Sequence, residues 1–128
     1  LLCLRCTRHK FPRKMRNYYE KSLKNFVRYR LSSIRAKKRK VMITVEDVCT
    51  LYEKQNGMCA LSGLPLTLKT RLPDTLSIDR IDSNLGYILD NIQLVCVCLN
   101  LAKNSFDNNT ILDFIAKLIG RASCRERV

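Results

Sequence analysis

Hydrophobic residues recur at three- and four-residue steps within residues 13–38, a spacing that predicts an amphipathic helix. Leu23, Phe26, Leu31 and Ile34 lie on this apolar stripe, and lysines and arginines flank it. We interpret the apolar face as a packing surface and the basic face as a surface that phosphates could contact. An ordinary amphipathic helix without a ligand would have the same pattern.

Two further helices are predicted from residues that favour helix starts. Thr44 is followed by the acidic Asp47 three positions later, which is typical of an N-cap, and apolar spacing then continues over about 45–55. Asp107 is the expected cap of a last helix over residues 108–118. Each helix has one apolar face, so both are expected to pack against a core.

Between these helices, the polar and apolar residues are typical of two short strands and a helix. The strands are predicted at residues 77–81 and 92–96, with a turn-rich loop over residues 82–86. A short helix over residues 97–104 follows directly. The chain is therefore expected to have an α+β fold, in which a ββα unit is flanked by helices.

Charged residues are distributed unevenly along the 128-residue chain. The net charge is +13, and residues 1–40 contain 15 Lys and Arg against a single acid, Glu20. Residues 41–118 contain six Lys and Arg against nine Asp and Glu, so this part is slightly acidic. A basic N-terminal arm over residues 1–40 indicates a polyanionic partner such as DNA or RNA, although a solvated leader would have a similar composition.

The two ends of the chain suggest incomplete native sequence. Residues 119–128 can be back-translated into a string that resembles a sequencing-adapter oligonucleotide, so we interpret them as read-through rather than native protein. The first residue is Leu1 rather than Met, and we expect the native chain to extend further at both ends.

The seven cysteines fit an intracellular protein with reduced thiols better than a secreted disulfide framework. Cys3 and Cys6 form a C-x-x-C pair, which is half of a zinc site or an incidental pair. Cys59 lacks a second cysteine three positions later, so no structural zinc is expected in residues 41–118 and Cys59 and Cys96 are interpreted as packing residues. Any Zn²⁺ is expected only in the N-terminal segment.

Asp79 and Asn100 are candidate ligands for a divalent cation. Phosphodiester cleavage requires neutralisation of phosphate charge and removal of a proton from the attacking water. Mg²⁺ prefers oxygen ligands and keeps several waters, so one or two protein groups suffice. A single ββα hairpin could bring Asp79 on a strand close to Asn100 on a helix.

The ordered motifs resemble those of HNH endonucleases, the His-Me finger family with a ββα-metal fold, of the type found in phages and large viruses. The resemblance covers roughly residues 43–118. The motifs that carry it are Gln55-Asn-Gly-Met-Cys-Ala-Leu-Ser-Gly-Leu-Pro-Leu66, Ser77-Ile-Asp-Arg-Ile-Asp82, Gly86-Tyr87, Asn91 and Asn100-Leu-Ala-Lys103. The resemblance implies that Asp79 and Asn100 bind Mg²⁺ or another divalent cation, that Asn91 ties the loop and positions the strand, and that Arg80 occupies the position of the usual catalytic histidine.

Arg80 changes the expected chemistry, because arginine stays protonated and cannot accept a proton from water. Arg80 could hold the phosphate while Asp82 or solvent takes the proton, another residue could be the base, or the domain could bind DNA without cutting it. The residues expected to contact nucleic acid are the basic ones of the arm, namely Lys21, Lys24, Arg28, Arg35, Lys37, Lys38, Arg39 and Lys40.

The predicted function is therefore a metal-dependent endonuclease that hydrolyses DNA phosphodiester bonds, with residues 41–118 as its nuclease module. Two alternatives remain: an inactive DNA- or RNA-binding module on the same fold, and a small basic RNA-associated structural protein. No apolar run approaches the roughly 18 residues of a membrane span, so no membrane partner is expected. We expect an intracellular location, in the cytoplasm of a prokaryote or of a cell infected by a phage or virus.

Overall fold

The protein has a mixed α+β fold with a two-stranded antiparallel sheet. The computed structural model describes the backbone of residues 13–126 and the side chains of residues 22–120. Cys3 and Cys6 and the side chain of Lys21 therefore lie outside the described residues. Within the described part, the elements in chain order are α1 (Arg13–Ala36), α2 (Val45–Lys54), β1 (Leu76–Arg80), a 3-10 helix (Leu89–Asn91), β2 (Ile92–Cys96), α3 (Val97–Lys103) and α4 (Asn108–Glu126).

The strands β1 and β2 pair directly, and their register places Asp79 opposite Gln93 and Arg80 opposite Ile92. All residues of the two strands except Arg80 are buried, because α3 packs against both strands and α2 contacts β2. Apolar and polar residues alternate in β1 from Leu76 to Asp79, and because both faces of the strand are covered, the polar Ser77 and Asp79 are buried as well. The small sheet thus lies in the interior, with its polar side chains held by neighbouring helices.

The apolar stripe of α1 lies in the same core as the sheet. Leu23, Phe26, Val27 and Leu31 are buried, and they belong to one cluster with residues of α2, β1 and β2. Burial of four large side chains supplies several kcal/mol, at about 1.5–3 kcal/mol for each. The helix of the basic arm is therefore an integral part of the folded unit.

The start of α2 has the predicted capping box. The Asp47 backbone N–H donates to Thr44 Oγ1 at 3.2 Å, and the Thr44 backbone N–H donates to Asp47 Oδ2 at 2.8 Å. After α2, the Gln55 side chain bonds both the N–H and the C=O of Leu94, at 3.0 and 2.9 Å. Gln55 thus ties the end of α2 to the outer edge of β2.

The last helix begins as predicted but is longer. Asp107 Oδ1 accepts the Thr110 backbone N–H at 2.7 Å, and this bond lowers the pKa of the Asp107 carboxyl. The helix continues to Glu126, beyond the predicted end at Leu118. Residues 119–126 contain no proline, the residue that interrupts a helix most strongly, and the helix continues through Gly120. None of the described helices combines the length and the apolar character needed to cross a membrane.

Candidate functional site

A cavity of about 400 Å³ lies between the C-terminal half of α1, strand β1 and helix α3. Three residues predicted for the site, Asp79, Arg80 and Asn100, line this cavity. Three further cationic side chains also line it: Arg30, Lys37 and Arg39. Asp79 and Arg80 of the strand and Asn100 of the helix therefore line the same cavity, together with basic residues of the N-terminal arm.

The spacing of residues on β1 and α3 explains how they meet. Ser77 and Asp79 are two positions apart on a strand and share one face, whereas Asn100 and Lys103 are one turn apart on a helix. Asn100 Nδ2 donates to Ser77 Oγ at 2.6 Å, and Lys103 Nζ donates to Asp79 Oδ2 at 2.6 Å. Two matched contacts thus fix the position of α3 against the strand.

Asp79 is buried, with 5% of its surface exposed, and it forms an ion pair with Lys103. Its Oδ2 atom also accepts a hydrogen bond from Gln93 Nε2 at 2.8 Å, across the ladder. The described hydrogen bonds of Asp79 all use Oδ2, so Oδ1 is the oxygen left for a ligand in the cavity.

Gln93 is held in turn by Asn108 at the start of α4. Gln93 Nε2 donates to Asn108 Oδ1 at 2.9 Å, and Asn108 Nδ2 donates to Gln93 Oε1 at 3.1 Å. This pair of amides links α4 to the interior carboxylate. Sequence reasoning missed Gln93, Asn108 and Lys103 as site residues. The position of Lys103 one turn after Asn100 was the available signal.

The donor types present fit a hard divalent cation. The described side-chain hydrogen bond of Asn100 uses Nδ2, which leaves its amide oxygen as a potential ligand in the cavity that Asp79 also lines. Among the described residues, no group of three or more His, Cys, Asp and Glu side chains could hold a metal. One carboxylate and one amide oxygen nevertheless suit magnesium, which keeps several waters.

Arg80 and Arg39 both contact the buried Tyr87, Arg80 at its ring and Arg39 at its hydroxyl. The Arg80 guanidinium carbon lies 5.4 Å from the ring centroid, and Arg80 Nη1 donates to the Leu85 carbonyl at 3.2 Å. Arg39 Nη1 donates to the Tyr87 hydroxyl at 3.2 Å. Tyr87 therefore holds two guanidinium groups on the same cavity.

Arg39 is positioned at the cavity by backbone contacts of the residues that follow it with Tyr87. The Tyr87 backbone N–H donates to the Lys40 carbonyl at 2.9 Å, and the Met42 N–H donates to the Tyr87 carbonyl at 2.9 Å. A Cβ atom on Gly86 would lie 3.0 Å from that Lys40 carbonyl oxygen, so a glycine allows the approach. This contact places the end of the basic arm against the loop that follows β1.

Asn91 closes the loop between the two strands. Its Oδ1 accepts the Asp82 backbone N–H at 2.9 Å, and its Nδ2 donates to the carbonyls of Asp82 and Gly86 at 3.0 and 3.1 Å. Asn91 is buried and does not line the cavity. Within the described structure its role is to shape the loop that lies between Arg80 and Tyr87.

Replacement of Asn91 by Ala is expected to lower the free energy of unfolding by about 2–4 kcal/mol, because three hydrogen bonds are lost and their backbone partners stay partly buried. Urea denaturation followed by circular dichroism measures this change. Asn84→Ala is the matched control, since Asn84 is exposed in the same loop, and it should change stability by less than about 0.5 kcal/mol. Equal effects of the two substitutions would contradict the role of Asn91.

Asp82, the alternative base considered from sequence, does not line the cavity. It is exposed, and its Oδ1 accepts the Asn84 backbone N–H at 2.9 Å. The carboxylate is thus used by the loop turn.

The basic residues of the arm separate into two groups. Lys37 and Arg39 line the cavity, whereas Lys24, Arg28, Arg35, Lys38 and Lys40 are exposed and not among its lining residues. Arg30, which was not among the predicted nucleic-acid contacts, is at the cavity because it lies on the helix face of Ile34 and Lys37. Helical spacing from Lys37 was the signal that could have identified Arg30.

Cys59 and Cys96 are buried next to each other, and the Cys96 backbone N–H donates to Cys59 Sγ at 3.3 Å. Burial, and then the neighbouring Cys59, raise the pKa of the Cys96 thiol to about 11. Burial alone would raise the pKa of the Cys59 thiol, but hydrogen bonds from Ser62 and from backbone groups outweigh it and lower that pKa. The two cysteines belong to the core cluster and are not among the residues that line the cavity.

Comparisons of this chain with protein-family models, with curated proteins and with solved structures found no match, so a functional assignment depends on the site itself.

Proposed function

We propose that this protein is a divalent-metal-dependent endonuclease of the HNH type, which hydrolyses DNA phosphodiester bonds. In this proposal β1, β2 and α3 form the ββα-metal finger. The observation that carries it is the common cavity of Asp79, Arg80 and Asn100. The ordered sequence motifs lead us to expect this arrangement, in which Asp79 and Arg80 at the end of β1 lie near the amide of Asn100 on α3.

The charge of the cavity supports a phosphate ligand. Arg30, Lys37, Arg39 and Arg80 line it, whereas Asp79 is the single acidic lining residue among those that the structure describes and is paired with Lys103. Arginine presents several N–H donors in a planar fork that matches phosphate oxygens. We assign these side chains to the phosphodiester backbone, where they would position nucleic acid without reading its sequence.

Asp79 and Asn100 would hold the divalent cation through their oxygen atoms. A cation bound there would neutralise negative charge on the scissile phosphate and on the leaving oxygen. Asp79 contributes its carboxylate from a strand, and Asn100 contributes its amide oxygen from a helix that packs on that strand. Both side chains are held by neighbouring hydrogen bonds, so little ordering is left to occur when substrate binds.

Arg80 would stabilise the extra negative charge of the transition state rather than act as a base. Its guanidinium is held by Tyr87 and the Leu85 carbonyl at the edge of the cavity. A fixed cation that is already in place when charge develops is worth several kcal/mol in a site shielded from water. In this proposal the proton of the attacking water passes to solvent.

Plasmid nicking is the direct test. The protein is expected to nick DNA in magnesium or manganese but not in EDTA, and Asn100→Ala should lower the rate about 10²-fold through loss of one ligand. Asn109→Ala is the matched control, because Asn109 is exposed on α4, and it should retain the wild-type rate. Cleavage that persists in EDTA, or that is equal in both variants, would refute the proposal.

The second candidate function is a DNA- or RNA-binding module that does not cut. One observation favours it: among the described residues, those lining the cavity include no histidine or unpaired carboxylate that could accept a proton. The same assay separates the two functions. Tight, salt-dependent binding without divalent-dependent nicking would support the binding module.

A further inference from the structure

We infer that Lys103 is a positioning residue, whose buried ammonium fixes the orientation of Asp79 and weakens the affinity of that carboxylate for a divalent cation. This inference rests on the proposed function, because it assigns Asp79 to the cation. Sequence motifs alone gave Lys103 no role. The structure connects it directly to the carboxylate.

Lys103 is placed too deeply to contact a substrate. Only 1% of its surface is exposed, and it is not among the residues that line the cavity. A lysine that contacts phosphate keeps its ammonium at the surface, where it meets both water and ligand. Lys103 therefore acts on a ligand in the cavity without contact, through Asp79, through the backbone of β1 or through the field of its charge.

The ammonium group of Lys103 is held by three oxygen atoms. Nζ lies 2.6 Å from Asp79 Oδ2, 2.7 Å from the Arg80 carbonyl oxygen and 3.4 Å from the Ile81 carbonyl oxygen. The Lys103 side chain thus fixes Asp79 Oδ2 and the backbone at the end of β1, where Arg80 is located. Loss of these contacts would allow Asp79 to turn and the end of β1 to shift.

Electrostatics gives this arrangement a second effect. A positive charge 2.6 Å from a carboxylate opposes the approach of a second cation to the same group, and the opposition is strong where water is scarce. A neutral residue at position 103 would remove the repulsion and the restraint together. The site should then bind the cation more tightly, and DNA cleavage should be slower.

The test compares the purified wild-type chain with its Lys103→Met variant. The Lys103→Met variant is expected to bind Mn²⁺ at least about ten-fold more tightly, as measured from the electron paramagnetic resonance signal of free Mn²⁺. Its single-turnover cleavage of saturating DNA at saturating Mn²⁺ should be at least about ten-fold slower. A purely structural lysine would not produce tighter binding together with slower cleavage, because partial unfolding weakens both.

Two other variants serve as controls. Lys54→Met makes the same change at an exposed position on α2 and should keep wild-type values. Lys103→Arg keeps the charge, so its Mn²⁺ affinity should stay within about three-fold of wild type while cleavage is slowed by the altered geometry. If Lys103→Met does not fold, Lys103→Arg decides, since a ten-fold change in its Mn²⁺ affinity or an unchanged rate would overturn the inference.

The outcomes separate this inference from the proposed function. If wild type does not cleave in any divalent cation, the nuclease proposal fails. The Mn²⁺ affinities of wild type and Lys103→Met then decide whether Lys103 weakens cation binding. If wild type cleaves and Lys103→Met matches Lys54→Met in both affinity and rate, the nuclease proposal stands and the role of Lys103 is refuted.

Discussion

Replacement of Asp79 by Asn is expected to lower the rate of DNA cleavage at least about 10³-fold in magnesium or manganese. Of the described residues that line the cavity, Asp79 alone carries a carboxylate, and Asn keeps the shape of this group while removing its charge. The loss should appear in the cleavage step rather than in DNA binding, because the cationic residues that face phosphate are unchanged. Single-turnover rates and DNA affinities, measured on the same preparations, check both statements.

Two other aspartates provide the controls for this result. Asp90→Asn makes the same change at an exposed position of the 3-10 helix and should keep the wild-type rate. Asp82→Asn tests the alternative base, and because Asp82 is used by the loop turn outside the cavity, its rate should fall by less than about three-fold. A large loss in Asp82→Asn would show that the loop rearranges on binding and that the proton passes to this carboxylate.

Local signals predicted most of the secondary structure. The strand at Ile92–Cys96 has the predicted bounds, and α2 begins at the capping box that Thr44 and Asp47 indicate. Such features are indicated by residues close in sequence, so local patterns are enough to predict them. The end of α4 was not predicted, because the residues after Leu118 were interpreted as non-native and no helix was assigned to them.

The contacts within the candidate site depended on tertiary structure. The order of Asp79 and Asn100 along the chain predicted that they could share a cavity. The pairing of Asp79 with Lys103, in contrast, depends on the position of α3 along β1. A shift of one helical position would bring another side chain to the carboxylate. The amide pair of Gln93 and Asn108 likewise requires the start of α4 to be placed beside β2. Sequence spacing within single elements cannot fix these distances.

The ion pair between Asp79 and Lys103 should dominate the stability of the region around the site. Removal of either partner alone, by Asp79→Asn or Lys103→Met, is expected to lower the free energy of unfolding by about 3–5 kcal/mol, because a charge is left buried without its counter-charge. Both side chains are almost fully buried, so water compensates poorly for the missing partner. Urea denaturation at neutral pH measures each loss.

The double variant Asp79→Asn/Lys103→Met distinguishes stability from catalysis. It buries no charge at the pair, and the Asn side chain can still accept the Gln93 N–H, so at least half of the lost stability should return. Cleavage should nevertheless stay as low as in Asp79→Asn, because the carboxylate is absent. Recovery of stability without recovery of activity would assign the pair to folding and the carboxylate to chemistry. If the two single losses simply add in the double variant, the two residues do not interact and the paired geometry is wrong.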